Sequence, residues 1–389
     1  MSPIWNRRTF LANAALSAAA SRSVFAAPDA ASSSYLAFVG VASPDQPALD
    51  RIETYRVQDG RWFSVGISAP ATRPQALALH PRLPVLYAAH STATHNYLPR
   101  GSVSAFVFDP ESGELSPLGQ RPMALSATHP GSLSVSPDGQ WLLVAATGGS
   151  AWNFFSLAAD GSIRPTPSAL KLTGCGPHPL QTSARPHSVV HHPATSYAYA
   201  SDFGSDRIDQ IALGCKGAML SSPAFAKRIH LQPGSGPAHL SMHPSGNMLA
   251  MTYQLRPALQ VFGIESNGDV ANEPLQSIPL DAEAVGPLAQ NRQGNRLYLA
   301  TQQSPFSRTV STYTWSSSTR KLSRLQQIDL PGTSFPAKII VMDHQLLLLG
   351  HTGIDAIALL PGDGNRTNEV RSVMKMPMAV SLAIHPLNI

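Results

Sequence analysis

The 389-residue chain has little charge, few aromatic residues and only two cysteines. Charged residues make up 13% of the sequence and aromatic residues 7%, whereas there are 34 prolines and 28 glycines. Modest charge with 43% hydrophobic residues argues against disorder, and frequent Pro and Gly argue against a helical protein. These limits favour many short strands joined by tight turns, in two ordinary domains or one large repeat architecture.

Long apolar runs and dense basic runs are also missing. No window outside the amino-terminal segment reaches the roughly 18 apolar residues of a membrane-spanning helix, so we expect no stable span in the mature protein. The formal net charge is +5, and Arg7, Arg8 and Arg22 contribute to that excess. Because no later Lys/Arg run is dense, nucleic acid is not an expected partner.

The amino terminus carries an export pattern. Asn6-Arg7-Arg8-Thr9-Phe10-Leu11 is a twin-arginine sequence, and a mildly apolar stretch and Val24-Phe25-Ala26 follow it. We predict a signal peptide over residues 1–26, a short linker over 27–34 and a mature, periplasmic or secreted domain over 35–389. The alternative is a chance arginine pair before an ordinary amino-terminal helix.

The two cysteines, Cys175 and Cys215, lie in Gly-flanked loops. In an oxidising compartment they could form one disulfide, and two independent thiols are an equal alternative. Two cysteines make a poor structural zinc site, and no His or carboxylate cluster has metal-ligand spacing. We therefore expect no metal and no cofactor. We also expect a monomeric protein.

A repeat of two short strands around a turn organises the chain. The turn prolines are Pro81, Pro137, Pro193 and Pro244, with spacings of 56, 56 and 51 residues. Such an interval holds four strands of about five residues plus loops, which is one propeller blade. Two later copies have drifted, at residues 288–300 and 338–350.

The chain ends predict how the ring of blades closes. Val380–Pro386 is a first half-repeat that lacks a partner strand, and Tyr35–Val41 at the mature amino terminus supplies one. Counting that split copy gives seven repeats. The prediction is an all-β, seven-bladed β-propeller in which amino- and carboxyl-terminal strands share a blade, leaving no open sheet edge between the first and last blades.

Three motifs resemble those of one known family. They are Gln181 with Pro186-His187-Ser188-Val189, then Asp202-Phe203-Gly204-Ser205-Asp206-Arg207, and Gly234-Ser235-Gly236-Pro237-Ala238-His239 with His243-Pro244. Together they resemble the seven-bladed lactonases, which include bacterial 6-phosphogluconolactonase and fungal carboxymuconate-lactonising enzyme. The resemblance covers roughly Tyr35 to the carboxyl terminus. It implies hydrolysis of a sugar or carboxylic-acid lactone, such as a 6-phosphogluconolactone-like ring, with a small-molecule lactone or acid as partner.

The resemblance places His187 at the family's catalytic histidine. A loop histidine at the central mouth of a propeller can act as general base for water or as acid to the leaving oxygen. A surface histidine ahead of a strand is the alternative. His239 follows the matching blade 4 loop and is a substrate-binding candidate, although a structural histidine is the more ordinary interpretation.

Three family positions differ in this chain. Ala238 stands where the family has an arginine, and Gln254 stands where it has a glutamate; an amide can hydrogen-bond but cannot act as a base. Gln302 replaces a further arginine, before an apparent insertion that reaches Arg308. We take Gln254 and Gln302 as substrate-binding candidates.

Arg185 precedes His187 where the family has a histidine. Its guanidinium could bind a substrate carboxylate in place of the lost arginines, or pair with Asp202 or Asp206. We interpret Asp202, Asp206 and Arg207 as a structural corner. Two functions follow: an exported lactone hydrolase, or a catalytically inactive propeller that binds a small molecule, glycan or protein. Fold alone favours neither.

Overall fold

A computed structural model describes residues 34–387, except positions 44, 217–218, 221, 317, 331–333, 343–344, 351, 359–369 and 377. The predicted signal peptide and residues 27–33 of the linker lie outside the described residues. No helix in the described part of the chain is long and apolar enough to cross a membrane.

The described residues form seven four-stranded antiparallel sheets, one per blade. The chain first forms the three outer strands of blade 7, which are β1 (Ser34–Val41), β2 (Arg51–Gln58) and β3 (Arg61–Pro70), with a 3-10 turn at Pro47–Leu49. Blade 1 consists of β4 (Pro74–Leu79), β5 (Val85–His90), β6 (Ser102–Phe108) and β7 (Leu115–Pro122). Blade 2 consists of β8 (Thr128–Val135), β9 (Trp141–Gly148), β10 (Ala151–Ser156) and β11 (Ser168–Lys171).

The remaining strands follow in the same order. Blade 3 contains β12 (Pro186–His191), β13 (Tyr197–Asp202), β14 (Arg207–Ala212), an inserted hairpin of β15 (Cys215–Lys216) and β16 (Met219–Leu220), and β17 (Ala224–His230). Blade 4 contains β18 (Pro237–Met242), β19 (Met248–Tyr253), β20 (Ala258–Ile264) and β21 (Val270–Pro279). Blade 5 contains β22 (Ala284–Gln290), β23 (Arg296–Ser304), β24 (Ser307–Ser316) and β25 (Lys321–Asp329). Blade 6 contains β26 (Lys338–Val341), β27 (Gln345–Gly350), β28 (Gly353–Ala358) and β29 (Val370–Lys375). The last strand, β30 (Ala379–Leu387), is the innermost strand of blade 7.

The first and last described strands meet in blade 7. Strand β30 pairs with β1 in antiparallel register, from Ser34 opposite Leu387 to Val39 opposite Leu382. The first strand of every blade contacts the first strands of both neighbouring blades, and β30 contacts β4 to complete the circle. The closed seven-bladed propeller predicted from the sequence is therefore confirmed, with the first strands forming an inner ring around a central channel.

The packing between blades fixes the strand that carries the candidate site. On β12, Val189 packs among buried residues that include Trp141 of blade 2. Its neighbour Val190 points the other way and packs with Leu249 of blade 4. Because successive side chains of a strand point to opposite faces, this alternation holds β12 from both sides.

The His-Pro turns of blades 1, 3 and 4 each contact the next blade, as their repeated position predicts. The Nδ1 of His80 accepts from the backbone N–H groups of Arg82 and Leu83, and its Nε2 lies 3.3 Å from the Gly139 carbonyl in blade 2. Gly139 has φ +70°, and a Cβ there would lie 2.4 Å from the His80 ring. Glycine is therefore required by backbone conformation and by space.

The same contact recurs between later blades. His192 lies against Gly246 and His243 against Gly294, both with φ near +75°. The Nε2 of His243 lies 2.9 Å from the Gly294 carbonyl. These histidines are parts of the blade junctions.

Candidate functional site

One end of the propeller collects the candidate residues. Each first strand begins, and each second strand ends, at the same face, because the strands of a blade are antiparallel. We call this the mouth face. Arg185 and His187 lie at the start of β12, and His239 lies near the start of β18. Gln254 follows β19, and Gln302 lies near the end of β23.

His187 and His239 meet at this face. Their rings pack edge to face, with centroids 4.9 Å apart and an interplanar angle of 89°. Both side chains are half-buried, and the Nδ1 atom of His187 is buried without a hydrogen-bond partner. A buried imidazole nitrogen without a partner is unusual in a folded protein and marks functional sites more often than ordinary core positions, so this pair is the centre of the candidate site.

The surroundings keep both rings neutral. The pKa of His187 is lowered to about 4, first by burial and then by the charge of Arg185; the nearby Ala238 carbonyl acts in the opposite direction. Burial and the neighbouring His187 lower the pKa of His239 to about 3. At neutral pH each ring is therefore uncharged and can accept a proton.

Arg185 is held by an aromatic ring. Its guanidinium carbon lies 5.2 Å from the centroid of Phe203, a cation–π distance, and Phe203 also stacks on His187 at 6.4 Å. The expected alternative, a pair between Arg185 and Asp202 or Asp206, is not what the structure shows. Within the described residues Arg185 forms no ion pair, so its exposed guanidinium can bind an anion at the mouth face.

Asp202 is occupied by other donors. Its Oδ2 pairs with Arg207 at 2.9 Å, and its Oδ1 accepts from the backbone N–H groups of Arg185 at 2.6 Å and Gly204 at 3.0 Å. The carboxylate is fully buried. It thus fixes the backbone that leads into His187.

Asp206 ties blade 3 to the loop that leads into His239. Its carboxylate accepts from the backbone N–H groups of Gly234 at 2.7 Å and Gly236 at 2.8 Å, and from the Ser235 hydroxyl at 3.1 Å. The Gln181 amide donates to it at 2.8 Å. The predicted structural corner therefore holds the approach to both histidines.

Gln254 and Gln302 lie farther along the mouth face, in blades 4 and 5. The Gln254 amide points to the Val285 carbonyl at 3.5 Å, which is a weak hydrogen bond. Gln302 pairs through its backbone with residue 284. The side chains of Gln254 and Gln302 are half-buried, and among the described residues neither forms a hydrogen bond with the histidine pair.

The apparent insertion after Gln302 is a lengthened hairpin. Strands β23 and β24 continue to the pair Ser304 and Ser307, so Arg308 lies opposite Gln302 in the sheet. The guanidinium of Arg308 donates to the Pro305 carbonyl at 2.7 Å. The hairpin therefore keeps Arg308 within blade 5.

The structure describes the side chain of only one of the two cysteines. Cys175 is exposed and its thiol is free. Cys215 lies in β15, and its side chain is outside the described residues. The structure therefore shows no disulfide at Cys175, and oxidation of the two cysteines to a disulfide stays a prediction.

Sequence reasoning did not select Phe203 or Lys338. Phe203 was visible only as part of the corner motif, whereas its ring organises Arg185 and His187. Lys338 lies on β26, in a drifted copy of the repeat. Its signal was positional, because it has the same distance from the strand's closing turn as His239.

Comparisons with known proteins agree with this fold. The family model described as "Lactonase, 7-bladed beta-propeller" matches residues 38–360. The 6-phosphogluconolactonase of Bacillus subtilis is 28% identical over 203 residues, covering 51% of this chain and 54% of that protein. The 6-phosphogluconolactonase of Formosa agariphila is 26% identical over 147 residues, covering 38% and 41%. The matches thus span about half the length of these curated relatives or less.

A solved structure shows the same fold over nearly its whole length. The periplasmic gluconolactonase of Pseudomonas aeruginosa superposes with a TM-score of 0.77 and 22% identity, covering 90% of this chain and 99% of that one.

Proposed function

The chain belongs to the seven-bladed β-propeller lactonase family, and from that membership we propose that it hydrolyses a lactone to the corresponding hydroxy acid. The observation that carries the proposal is the neutral His187–His239 pair at the channel mouth. It supplies a proton acceptor where the resemblance places the family's catalytic histidine.

In the proposed reaction, His187 acts on a water molecule. Its neutral imidazole accepts a proton as the water oxygen attacks the ring carbonyl. The ring C–O bond then breaks, and the imidazolium returns the proton to the leaving oxygen, so one water and one lactone give one hydroxy acid. A pKa of about 4 makes His187 a weak base in the free protein. A substrate anion beside the ring would raise that pKa toward the working range.

The neighbouring groups orient the substrate in this proposal. Arg185 offers a planar guanidinium that can bind a carboxylate bidentately. His239 contacts His187 directly and restricts its ring. Gln254 and Gln302 offer amides that can donate or accept hydrogen bonds along the mouth face but cannot take a proton from water.

We propose that the substrate is an unphosphorylated sugar or aromatic-acid lactone met outside the cytoplasm. The twin-arginine pattern at residues 6–11 supports export, and a sugar-phosphate lactone belongs to cytosolic metabolism. The Pseudomonas aeruginosa protein of the same fold is a periplasmic gluconolactonase. Cell fractionation of the wild type and of an Arg7→Lys/Arg8→Lys variant tests the export step: the variant should accumulate in the cytoplasm, and unchanged localisation would refute this route.

A panel of lactones tests the reaction. Ring opening of glucono-δ-lactone, galactono-γ-lactone, an aromatic lactone and 6-phosphogluconolactone by purified protein is followed by acid release, with spontaneous hydrolysis subtracted. We expect acceleration of at least one unphosphorylated lactone. If none of the four opens faster than without protein, the inactive binding propeller is the better description.

A further inference from the structure

A lysine shares the inner ring of strands with the histidine pair. In blades 3, 4 and 6 the turn between the first and second strands is closed by a backbone hydrogen bond. The N–H donors of these bonds are His192, His243 and Met342, and they give a common reference for counting positions along the first strands. Ser188, His239 and Lys338 each lie four residues before that reference in blades 3, 4 and 6. The three residues therefore occupy equivalent positions on their inner strands.

The Lys338 side chain reaches across to the next blade. Its Nζ donates to the Leu382 carbonyl of β30 at 2.7 Å. An ammonium has three N–H donors, and this bond uses one. The residue is half-buried. Since β26 and β30 are the innermost strands of blades 6 and 7, this bond keeps the ammonium at the inner ring of strands.

The charge of Lys338 has no counterion in the part of the chain that the structure describes. None of the ion pairs there includes it. Burial alone lowers its pKa to about 8, with no contribution from a carboxylate, so most of the side chain is still protonated at neutral pH. A partly buried, unpaired cation is unfavourable, and a bound anion would relieve that cost.

We propose that Lys338 binds the anionic group, a carboxylate or a phosphate, of the molecule that occupies the channel. Lys338 then supplies positive charge to a channel in which Ala238 stands at a family arginine position. The inference rests on the proposed function only for the ligand's identity as a lactone or its ring-opened acid. Anion binding by Lys338 does not require that the protein be catalytic.

The chain offers a matched control in Lys227. Its Nζ donates to the Val270 carbonyl at 2.6 Å, and so also joins neighbouring blades through a backbone oxygen. Lys227 lies on β17, the outermost strand of blade 3. Lys338→Met and Lys227→Met therefore remove the same kind of bond, but only the first removes charge from the channel.

Calorimetric titration of the full chain with gluconate, 6-phosphogluconate and neutral sorbitol tests the proposal. Lys338→Met should weaken binding of the preferred acid about ten- to a hundredfold, the range for losing a hydrogen bond to a charged group. Lys227→Met should bind like the wild type, and Lys338→Arg should recover most of the affinity. Preference for 6-phosphogluconate over gluconate would assign the phosphate as the bound group. Equal affinity of Lys338→Met and wild type, or no binding of either acid by the wild type, would overturn the proposal.

A measurement on the wild type covers the case in which Lys338→Met does not fold. The sequence has six lysines, so 13C-dimethylation gives a small set of NMR signals whose pKa values can be followed. Saturating acid should raise the pKa of Lys338 and leave that of Lys227 unchanged; an unchanged Lys338 would contradict the inference.

The two proposals fail separately. Lys338-dependent acid binding without lactone hydrolysis would remove the proposed function and keep this site. If the protein hydrolyses a lactone, and Lys338→Met equals the wild type in both kinetics and acid binding, the proposed function would stand and the Lys338 site would be removed.

Discussion

The imidazole of His187 meets that of His239 edge to face, with ring centroids 4.9 Å apart. Two imidazolium ions at this distance would repel each other, and burial disfavours charge on either ring. The two neutral rings therefore take up at most one additional proton between them under ordinary conditions. This suits a site that takes a proton from water during attack and returns it to the leaving oxygen.

The pH dependence of kcat/KM should reflect that neutral pair. Because the pKa of His187 in the free protein is about 4, kcat/KM should be flat from about pH 5 to 7 and fall only toward about pH 4. For an anionic substrate it should also fall above about pH 8, as Lys338 loses its proton. A neutral lactone serves as control and should lack the alkaline fall. A decline of kcat/KM centred near 6.5 would show that His187 is not held as described.

His191 should make the protein sensitive to acid. Both of its ring nitrogens are buried without a well-aligned partner, and burial lowers its pKa to about 4, against opposing effects of Ser134 and Asp138. The unfolded ring titrates near 6.5, so the unfolded state binds more protons between these values. The stability contribution is present above about pH 6.5 and is lost as the pH falls toward about 4.

Replacing His191 with Leu tests this directly. Leu79 occupies the equivalent position of blade 1, one residue before the His-Pro turn. In urea unfolding at pH 7, His191→Leu should be as stable as the wild type or more stable by about 1 kcal/mol, because unpaired buried nitrogens are removed. Between pH 7 and 5 it should lose less stability than the wild type. The same slope for both proteins would contradict this explanation.

Asp206 should matter for stability and for the site together. Asp206→Asn keeps the size and the tolerance for its left-handed φ of +50°, but it replaces a carboxylate that accepts from four donors. We expect a loss of about 2 kcal/mol or more in the free energy of unfolding, and lower kcat/KM because the loop before His239 loosens. Asp160→Asn, in an exposed turn, is the control. Near-identical behaviour of the two variants would show that the Asp206 contacts contribute little.

The His-Pro turns should stabilise the ring without affecting chemistry. His80→Ala leaves the N–H groups of Arg82 and Leu83 without their acceptor and removes the contact with Gly139. We expect a loss of about 2 kcal/mol in denaturant unfolding, with kcat per folded molecule unchanged. His230→Ala, at an exposed strand end, should change stability little. A loss of kcat in folded His80→Ala would mean that this turn also supports the site.

The sequence predicted the strands that repeat and missed those that do not. The first two strands of most blades carry apolar residues around a Pro or Gly turn, and the split blade followed from Tyr35–Val41 and Val380–Pro386. The fourth strands were not located from the sequence because they are largely exposed and polar, as in β25 (Lys321–Asp329). A strand on the rim of a blade is held mainly by its backbone ladder and so leaves little hydrophobic pattern.

The candidate site was predictable in part for a similar reason. His187 and His239 could each be selected because both follow recognisable loops. The partner of Arg185 could not be chosen, since only the folded backbone shows that Asp202 and Asp206 are occupied by other donors. Lys338 required the strand register, which a drifted repeat does not reveal.

The most direct test of the central claim is kcat/KM for the best lactone of the panel, measured on wild type and His187→Ala with both shown to be folded. Loss of a general base should lower kcat/KM by about 100-fold or more, and His230→Ala should match the wild type. Activity of His187→Ala equal to that of the wild type would contradict the assignment of His187 as the proton acceptor.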